Sequence, residues 1–116
     1  MLPPGSSICQ SVAVNGGCCY TLSFAASVRG SGVLTATVQF FAVPPAVCTP
    51  PANPAMVPNL VAPAAHNDFW FFEFVVCAPA GTTSACICFA EQGQGAASVA
   101  FVDNVAFHNT GGPCNC

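Results

Sequence analysis

Hydrophobic and polar residues alternate along several short segments of this chain. Tyr20, Leu22 and Phe24 alternate with small or polar residues, and Ile87 and Phe89 alternate with cysteines. A two-residue period is typical of strands that bury one face in a core. Turns rich in Gly and Pro separate these segments. None of the segments has the helical period of about 3.6 residues. The pattern therefore predicts an all-β chain.

The alternating segments also predict how the chain is organised. Strands are expected at 19–25, 33–43, 69–77, 84–90 and 98–107, with a short edge strand near 59–62 inside the proline-rich loop 44–63. Short strands at this spacing predict a jelly-roll β-sandwich of two antiparallel sheets. We expect one domain over 19–108, an N-terminal arm over 1–18 that leads into the first strand, and a cysteine-containing C-terminal arm over 109–116.

The second half of the chain carries a family resemblance. It combines the aromatic run FWFFEF at 69–74, the turn segment APAGTTSA at 78–85 and the closing run FVDNVAF at 101–107. This combination resembles the closing half of the galactose-binding-like jelly roll, the fold of many carbohydrate-binding modules. The resemblance implies a β-sandwich and makes sugar binding a candidate function, although a fold does not fix a ligand.

Asp103 stands at the position of that family's closing aspartate, and the resemblance implies a structural calcium site near an acidic residue of the N-terminal strand region. Calcium takes roughly six to eight oxygen ligands, usually with several carboxylates. This chain has no acidic residue before Asp68. Two interpretations of Asp103 therefore stay open, a calcium ligand and a side chain that hydrogen-bonds the neighbouring backbone N–H groups.

Charge is scarce along the whole chain, which narrows the choice of partners. Charged residues make up 4% of the 116 positions, and Arg29 is the only basic one, whereas ordinary domains carry about 25% charged residues. Nucleic acid and anionic lipid both require clustered basic side chains, and the prolines of 44–63 prevent a membrane-spanning helix. A surface this poor in charge does little to keep copies apart, so the expected partner is the chain itself.

Nine cysteines predict a disulfide scaffold in an oxidising setting. Since the number is odd, at least one cysteine stays a thiol or bonds to another chain. Strand parity turns Cys86 and Cys88 away from the core side of Ile87 and Phe89, and the same rule places Cys19 and Cys77 on outer faces. The candidates for disulfides within and between subunits are Cys9, Cys19, Cys77, Cys86, Cys88, Cys114 and Cys116.

The expected location is extracellular, or at the surface of a cell or spore. Residues 1–9 contain neither the charged nor the apolar region of a signal peptide. Two explanations stay open. A leader has been removed, or the chain is made inside a cell and meets an oxidant on release, as spore-surface proteins do.

Neither an enzyme nor a bound metal or cofactor is expected. The metal-ligand candidates are two Cys-x-Cys pairs and two histidines, namely Cys86 and Cys88, Cys114 and Cys116, His66 and His108. Zinc sites usually use two intervening residues and a matching second pair. Neither histidine lies in a recognisable catalytic context, and no pair of carboxylates is arranged for acid–base work.

The preferred function is self-assembly into a fibre or surface layer stapled by disulfides. Cys9 lies on one arm, and Cys114 and Cys116 lie on the other. Such arms reach a neighbouring subunit by adding a strand to an exposed sheet edge or by forming a disulfide. Contacts of this kind repeat head-to-tail.

A carbohydrate-binding module is the alternative, with a glycan as its partner. Its contact candidates are Phe69, Trp70, Asp68 and Asn104. Against it, Trp70, Phe72 and Phe74 alternate like a row that faces the core. An outward Phe69 or Phe71 would serve equally well as a contact with another subunit.

Overall fold

Seven strands make up the described part of the chain. The computed structural model describes residue 2 and the ranges 5–29, 33–51, 59–62, 66–91 and 99–113. The strands are β1 (Ser7–Ala13), β2 (Cys18–Arg29), β3 (Leu34–Phe41), β4 (Asn59–Ala62), β5 (His66–Cys77), β6 (Ser84–Glu91) and β7 (Val99–Pro113). Within these ranges there is no helix, and hence none suited to crossing a membrane. The all-β prediction is confirmed.

The strands form two antiparallel sheets. A four-stranded sheet has the order β1-β6-β3-β4, and a three-stranded sheet has the order β5-β2-β7. Only β3 and β4 follow each other within one sheet; every other connection crosses to the opposite sheet, as in a jelly roll. The predicted sandwich of two antiparallel sheets is confirmed.

The core lies between the sheets and follows the predicted two-residue period. Leu22 and Phe24 of β2 are fully buried against Ile87 and Phe89 of β6. The Phe24 ring stacks on Phe72 with centroids 5.5 Å apart and meets Phe89 edge-on at 5.0 Å. Aromatic pairs of this kind contribute about 0.5–1.5 kcal/mol beyond their buried area. Phe24 therefore joins the two sheets at their centre.

The N-terminal segment, expected to be an arm, largely belongs to the sandwich. Residues 7–13 form β1, which pairs with β6 from Ser7↔Ala90 to Ala13↔Ser84. Leu2 is buried and exchanges two backbone hydrogen bonds with Ala100 in the other sheet. The alternation is weak here because β1 is an edge strand with mostly exposed side chains. Its pairing with β6 is therefore not visible in the local pattern.

Strand β7 likewise runs beyond the predicted domain limit at 108. It continues to Pro113, opposite Cys18, and Cys114 and Cys116 lie outside the described residues. A bulge interrupts β7 at Asn104, whose φ is 53°. The backbone N–H of Asn104 donates to Asp103 Oδ1 at 2.8 Å. This is the local backbone bond expected under one of the two interpretations of Asp103.

Candidate functional site: a cysteine cluster and an exposed sheet face

Four cysteines meet on the side of the four-stranded sheet that faces away from the core. Cys9 of β1 lies directly opposite Cys88 of β6, and the two form a disulfide. Cys86, two residues earlier on β6, forms a second disulfide with Cys48, which follows β3. The four Sγ atoms all lie within 4.8 Å of one another. We call Cys9, Cys48, Cys86 and Cys88 the cysteine cluster.

Burial of the cluster is the part that strand parity did not reveal. Ile87 and Phe89 face the core, so Cys86 and Cys88 face away from it, as predicted. They are nevertheless only 1% exposed, whereas Cys9 and Cys48 are half-buried. Both disulfides lie within the chain, so in this monomer these outward cysteines brace one subunit.

The segment after β3 is fastened over the cluster by a polar contact as well as by a disulfide. Gln39 of β3 lies opposite Cys86 in the β3–β6 pairing. Gln39 Nε2 donates to the carbonyl oxygen of Thr49 at 3.1 Å, and Cys86 Sγ lies 3.8 Å from the same oxygen. Sequence reasoning missed Cys48 because it lies in the proline-rich loop, where strand parity gives no direction.

A second group of sulfur atoms lies at one end of the three-stranded sheet. Cys19 and Cys77 are direct partners in the β2–β5 pairing, with their Sγ atoms 3.2 Å apart. Cys19 takes part in a disulfide, and Cys77 carries a thiol. Cys18 is also a thiol and packs against the core. Thiols next to a disulfide are the reactants of thiol–disulfide exchange.

The outward side of the three-stranded sheet is exposed and largely apolar, and it also carries two exposed carboxylates, Glu73 of β5 and Asp103 of β7. On β5 it presents Phe69, Phe71 and Val75, which are 53%, 67% and 62% exposed. Phe101 of β7 lies on the same side, with its ring centroid 6.5 Å from that of Phe69. We call this surface the outer sheet face, defined by Phe69, Phe71, Val75 and Phe101. β5 pairs only with β2 among the described strands, so the face adjoins a sheet edge.

Of the four residues proposed to contact a sugar, the three whose side chains the structure describes are not brought together. Phe69 and Trp70 are neighbours on one strand, so their side chains point to opposite sides of the sheet. Asn104 lies on β7, with β2 between it and β5. The side chain of Asp68 is outside the described residues. The expectation that Trp70 belongs to a buried row is wrong, because Trp70 is 48% exposed while Phe72 and Phe74 pack against the core.

A cleft of about 390 Å³ opens between the sheets where β1 and β7 face each other. Its walls are mostly apolar and include Ile8, Val12, Val105 and Phe107, with Gln10 as a polar side chain. None of the four sugar-contact candidates is among the residues that line it. Sugar hydroxyls need polar partners, which this cleft offers only sparsely.

No family model, no curated protein and no solved structure matches this chain. The galactose-binding-like resemblance therefore stays a prediction. Fold and site define the chain as an antiparallel β-sandwich braced by disulfides. Multiple disulfides are compatible with an extracellular or surface location, where an oxidising environment preserves them.

Proposed function

We propose that the chain is a structural subunit that assembles head-to-tail into an extracellular fibre or surface layer, of the kind found on cells or spores. The outer sheet face is the observation that carries this proposal. It exposes Phe69, Phe71 and Val75 beside a sheet edge. Contiguous exposed apolar side chains usually mark an interface, and unpaired edges are templates for another strand.

A second copy of the chain is the partner that suits this face best. The net charge is only −3, and the chain has few charged residues of either sign. Electrostatic repulsion between copies is therefore weak, and the acidic side chains to be desolvated on the outer sheet face are Glu73 and Asp103.

The positions of two edge strands support head-to-tail contact. β5 ends the three-stranded sheet and β1 ends the four-stranded sheet. Contact between β5 of one copy and β1 of the next joins two different surfaces. Such heterologous contacts repeat and generate rings or open fibres.

Covalent links between copies are the second part of the proposal. Nine cysteines cannot all pair within one chain. The Cys9–Cys88 bond joins an edge strand to its neighbour, so exchange of β1 between copies would turn this same bond into a link between subunits. Exchange of an identical element is a common route to oligomers.

Negative-stain microscopy and sedimentation of Phe71→Asp test the contact. We expect the wild-type chain to form polymers and the variant to stay monomeric, because a third carboxylate would replace an apolar contact beside Glu73 and Asp103 and would be buried without a basic partner. Val43→Asp is the matched control. Val43 is 76% exposed in the segment after β3, away from this face, so its variant should assemble. Polymers of Phe71→Asp indistinguishable from wild type would refute the contact.

Gel electrophoresis with and without reductant tests the covalent links. Ladders that collapse to a monomer on reduction are the expected result. To assign the bond, labelled and unlabelled chains can be assembled together and digested without reduction. A Cys9–Cys88 peptide pair that mixes the two isotopes shows exchange of β1, whereas only unmixed pairs would contradict it.

Trp70 is the observation that favours the carbohydrate-binding alternative, because a half-exposed indole is a good stacking platform for a sugar ring. A monomer on non-reducing gels that binds a glycan array, with binding abolished by Trp70→Ala, would establish this alternative and displace assembly.

A further inference from the structure

We propose that the cysteine cluster binds one Zn²⁺ ion through four thiolates when a dithiol or phosphine reductant has converted its two disulfides to four thiols, with two electrons and two protons taken up by each disulfide. This inference does not rest on the contact through the outer sheet face, because it concerns the other sheet, although it uses the sulfur atoms of Cys9 and Cys88 that the proposed covalent link also uses. The same four sulfur atoms either form the two disulfides or bind the ion, so the two states exclude each other.

The sulfur positions approach those of a tetrahedral zinc site. Zn–S bonds of about 2.3 Å place tetrahedral sulfur ligands about 3.8 Å apart. Cys86 Sγ and Cys88 Sγ, which are not bonded to each other, are 3.6 Å apart. All four Sγ atoms lie within 4.8 Å of one another. Two of the six sulfur pairs are disulfide-bonded in this structure, so side-chain rotations that separate these pairs after reduction are needed to surround one ion.

The backbone holds three of these ligands in place without help from the disulfides. Cys86 and Cys88 project from the same side of β6, which is hydrogen-bonded on both edges. Cys9 is fixed opposite Cys88 by the β1–β6 pairing, which runs over Ser7–Ala13. A Cys-x-Cys pair alone is a weak zinc signal, and the neighbouring strand supplies the third sulfur.

The fourth ligand is kept near by a contact that reduction leaves intact. The Gln39 amide donates to the carbonyl oxygen of Thr49, the residue after Cys48. This contact does not involve sulfur, so it still favours positions of Cys48 near Cys86 when their disulfide is reduced. Four soft sulfur ligands in tetrahedral order favour zinc over the harder cations that prefer oxygen.

The chemistry of loading is a simple exchange of protons for metal. Four thiols and one Zn²⁺ give a tetrathiolate complex of charge −2 and release four protons. Cys9 and Cys48 are half-buried, so one side of this anion stays in contact with water. Affinity should therefore fall as the pH falls, because protons compete for the same sulfur atoms.

Titration with Co²⁺ and Zn²⁺ of the full chain, reduced by a phosphine, tests the site. A variant that keeps only the cluster isolates it by serine replacement of Cys18, Cys19, Cys77, Cys114 and Cys116. We expect one equivalent of Co²⁺ to give the visible bands and charge-transfer absorption of a tetrahedral tetrathiolate, and Zn²⁺ to displace it. The same chain with its disulfides intact should bind neither ion.

Cys48→Ser and Thr49→Ala, made in that background, are the matched pair. Cys48→Ser should weaken zinc binding by more than about 100-fold, exceeding the usual effect of outer-shell changes. Thr49→Ala keeps the carbonyl and all four thiols, so its affinity should stay unchanged. Absence of tetrathiolate absorption, or equal affinity of the two variants, would overturn the proposal. The test remains valid even if the reduced, metal-free chain unfolds, because zinc binding itself stabilises a folded site.

Discussion

The two outer surfaces of the sandwich are built by the same strand parity but end in opposite environments. On the four-stranded sheet, Cys86 and Cys88 face away from the core and are buried under the segment after β3. On the three-stranded sheet, Phe69 and Phe71 face away from the core and are exposed. The outer surface of the four-stranded sheet is covered by a segment of the same chain, and we call it the closed surface. The outer surface of the three-stranded sheet is left free to contact another chain. Facing outward is thus a local property of a strand, whereas exposure depends on what lies above it.

The largest expected effect on stability comes from removing the disulfides of the closed surface. Replacing Cys9 and Cys88 together by alanine should lower the free energy of unfolding by about 4 kcal/mol, because their bond closes a separation of 79 residues. Replacing Cys48 and Cys86 together should lower the free energy of unfolding by about 0.6 kcal/mol less than replacing Cys9 and Cys88, because their bond closes a separation of only 38 residues. Urea denaturation of the two double variants measures both values.

Cys18→Ala is the control for these double variants, because Cys18 is a thiol. Its loss should stay below about 1 kcal/mol, in line with a small side chain at the core margin. Losses of similar size in all three variants would mean that the two disulfides add no particular stability, and the contrast between the surfaces would lose its covalent basis.

Alanine replacement of one buried and one exposed phenylalanine compares the two sides of the three-stranded sheet. Phe24→Ala should destabilise the monomer by about 3–5 kcal/mol, because it empties the centre of the core. Phe71→Ala, at a side chain that is 67% exposed, should change monomer stability by less than about 0.5 kcal/mol. Thermal or urea unfolding under monomeric conditions distinguishes them. A large loss at Phe71 would show that this ring is already covered within the chain.

Sequence patterning predicted the faces of the strands and not the contacts that cover them. The alternation of Ile87 and Phe89 with cysteines was sufficient to place Cys86 and Cys88 opposite the core, because side-chain direction follows the local backbone. Their burial was not predictable, since it depends on Cys48, which is 38 residues away from Cys86. Pairing of distant segments leaves no periodic signal in either one.

Sequence patterning also failed to predict the edge strands correctly. β1 has mostly exposed side chains, so the alternation that reveals buried strands is faint there, and an arm was expected instead. Trp70 shows the converse error. It continues the row of Phe72 and Phe74 on edge strand β5, but it is 48% exposed while its partner Ala26 on the central strand β2 is fully buried. Periodicity therefore predicts direction well and the limits of the core poorly.

The smallest expected effect concerns the polar contact that helps to cover the closed surface. Gln39→Ala removes the hydrogen bond from the side-chain amide to the Thr49 carbonyl and should cost about 0.5 kcal/mol, the low end for a single hydrogen bond, because this one is exposed. It should also speed reduction of the Cys48–Cys86 disulfide by a phosphine, because the segment that covers it loosens. Urea denaturation and timed alkylation measure the two effects.

Gln10→Ala provides the comparison for Gln39→Ala, because Gln10 is an exposed glutamine on edge strand β1. Its variant should leave both stability and reduction rate unchanged. If Gln39→Ala behaves like Gln10→Ala, the covering segment is held by the disulfide alone. Reduction would then expose Cys86 and Cys88 as fully as Phe69 and Phe71, and the two surfaces would differ by one covalent bond. If Gln39→Ala behaves as expected, the cover persists without that bond, and the closed surface is a property of the fold.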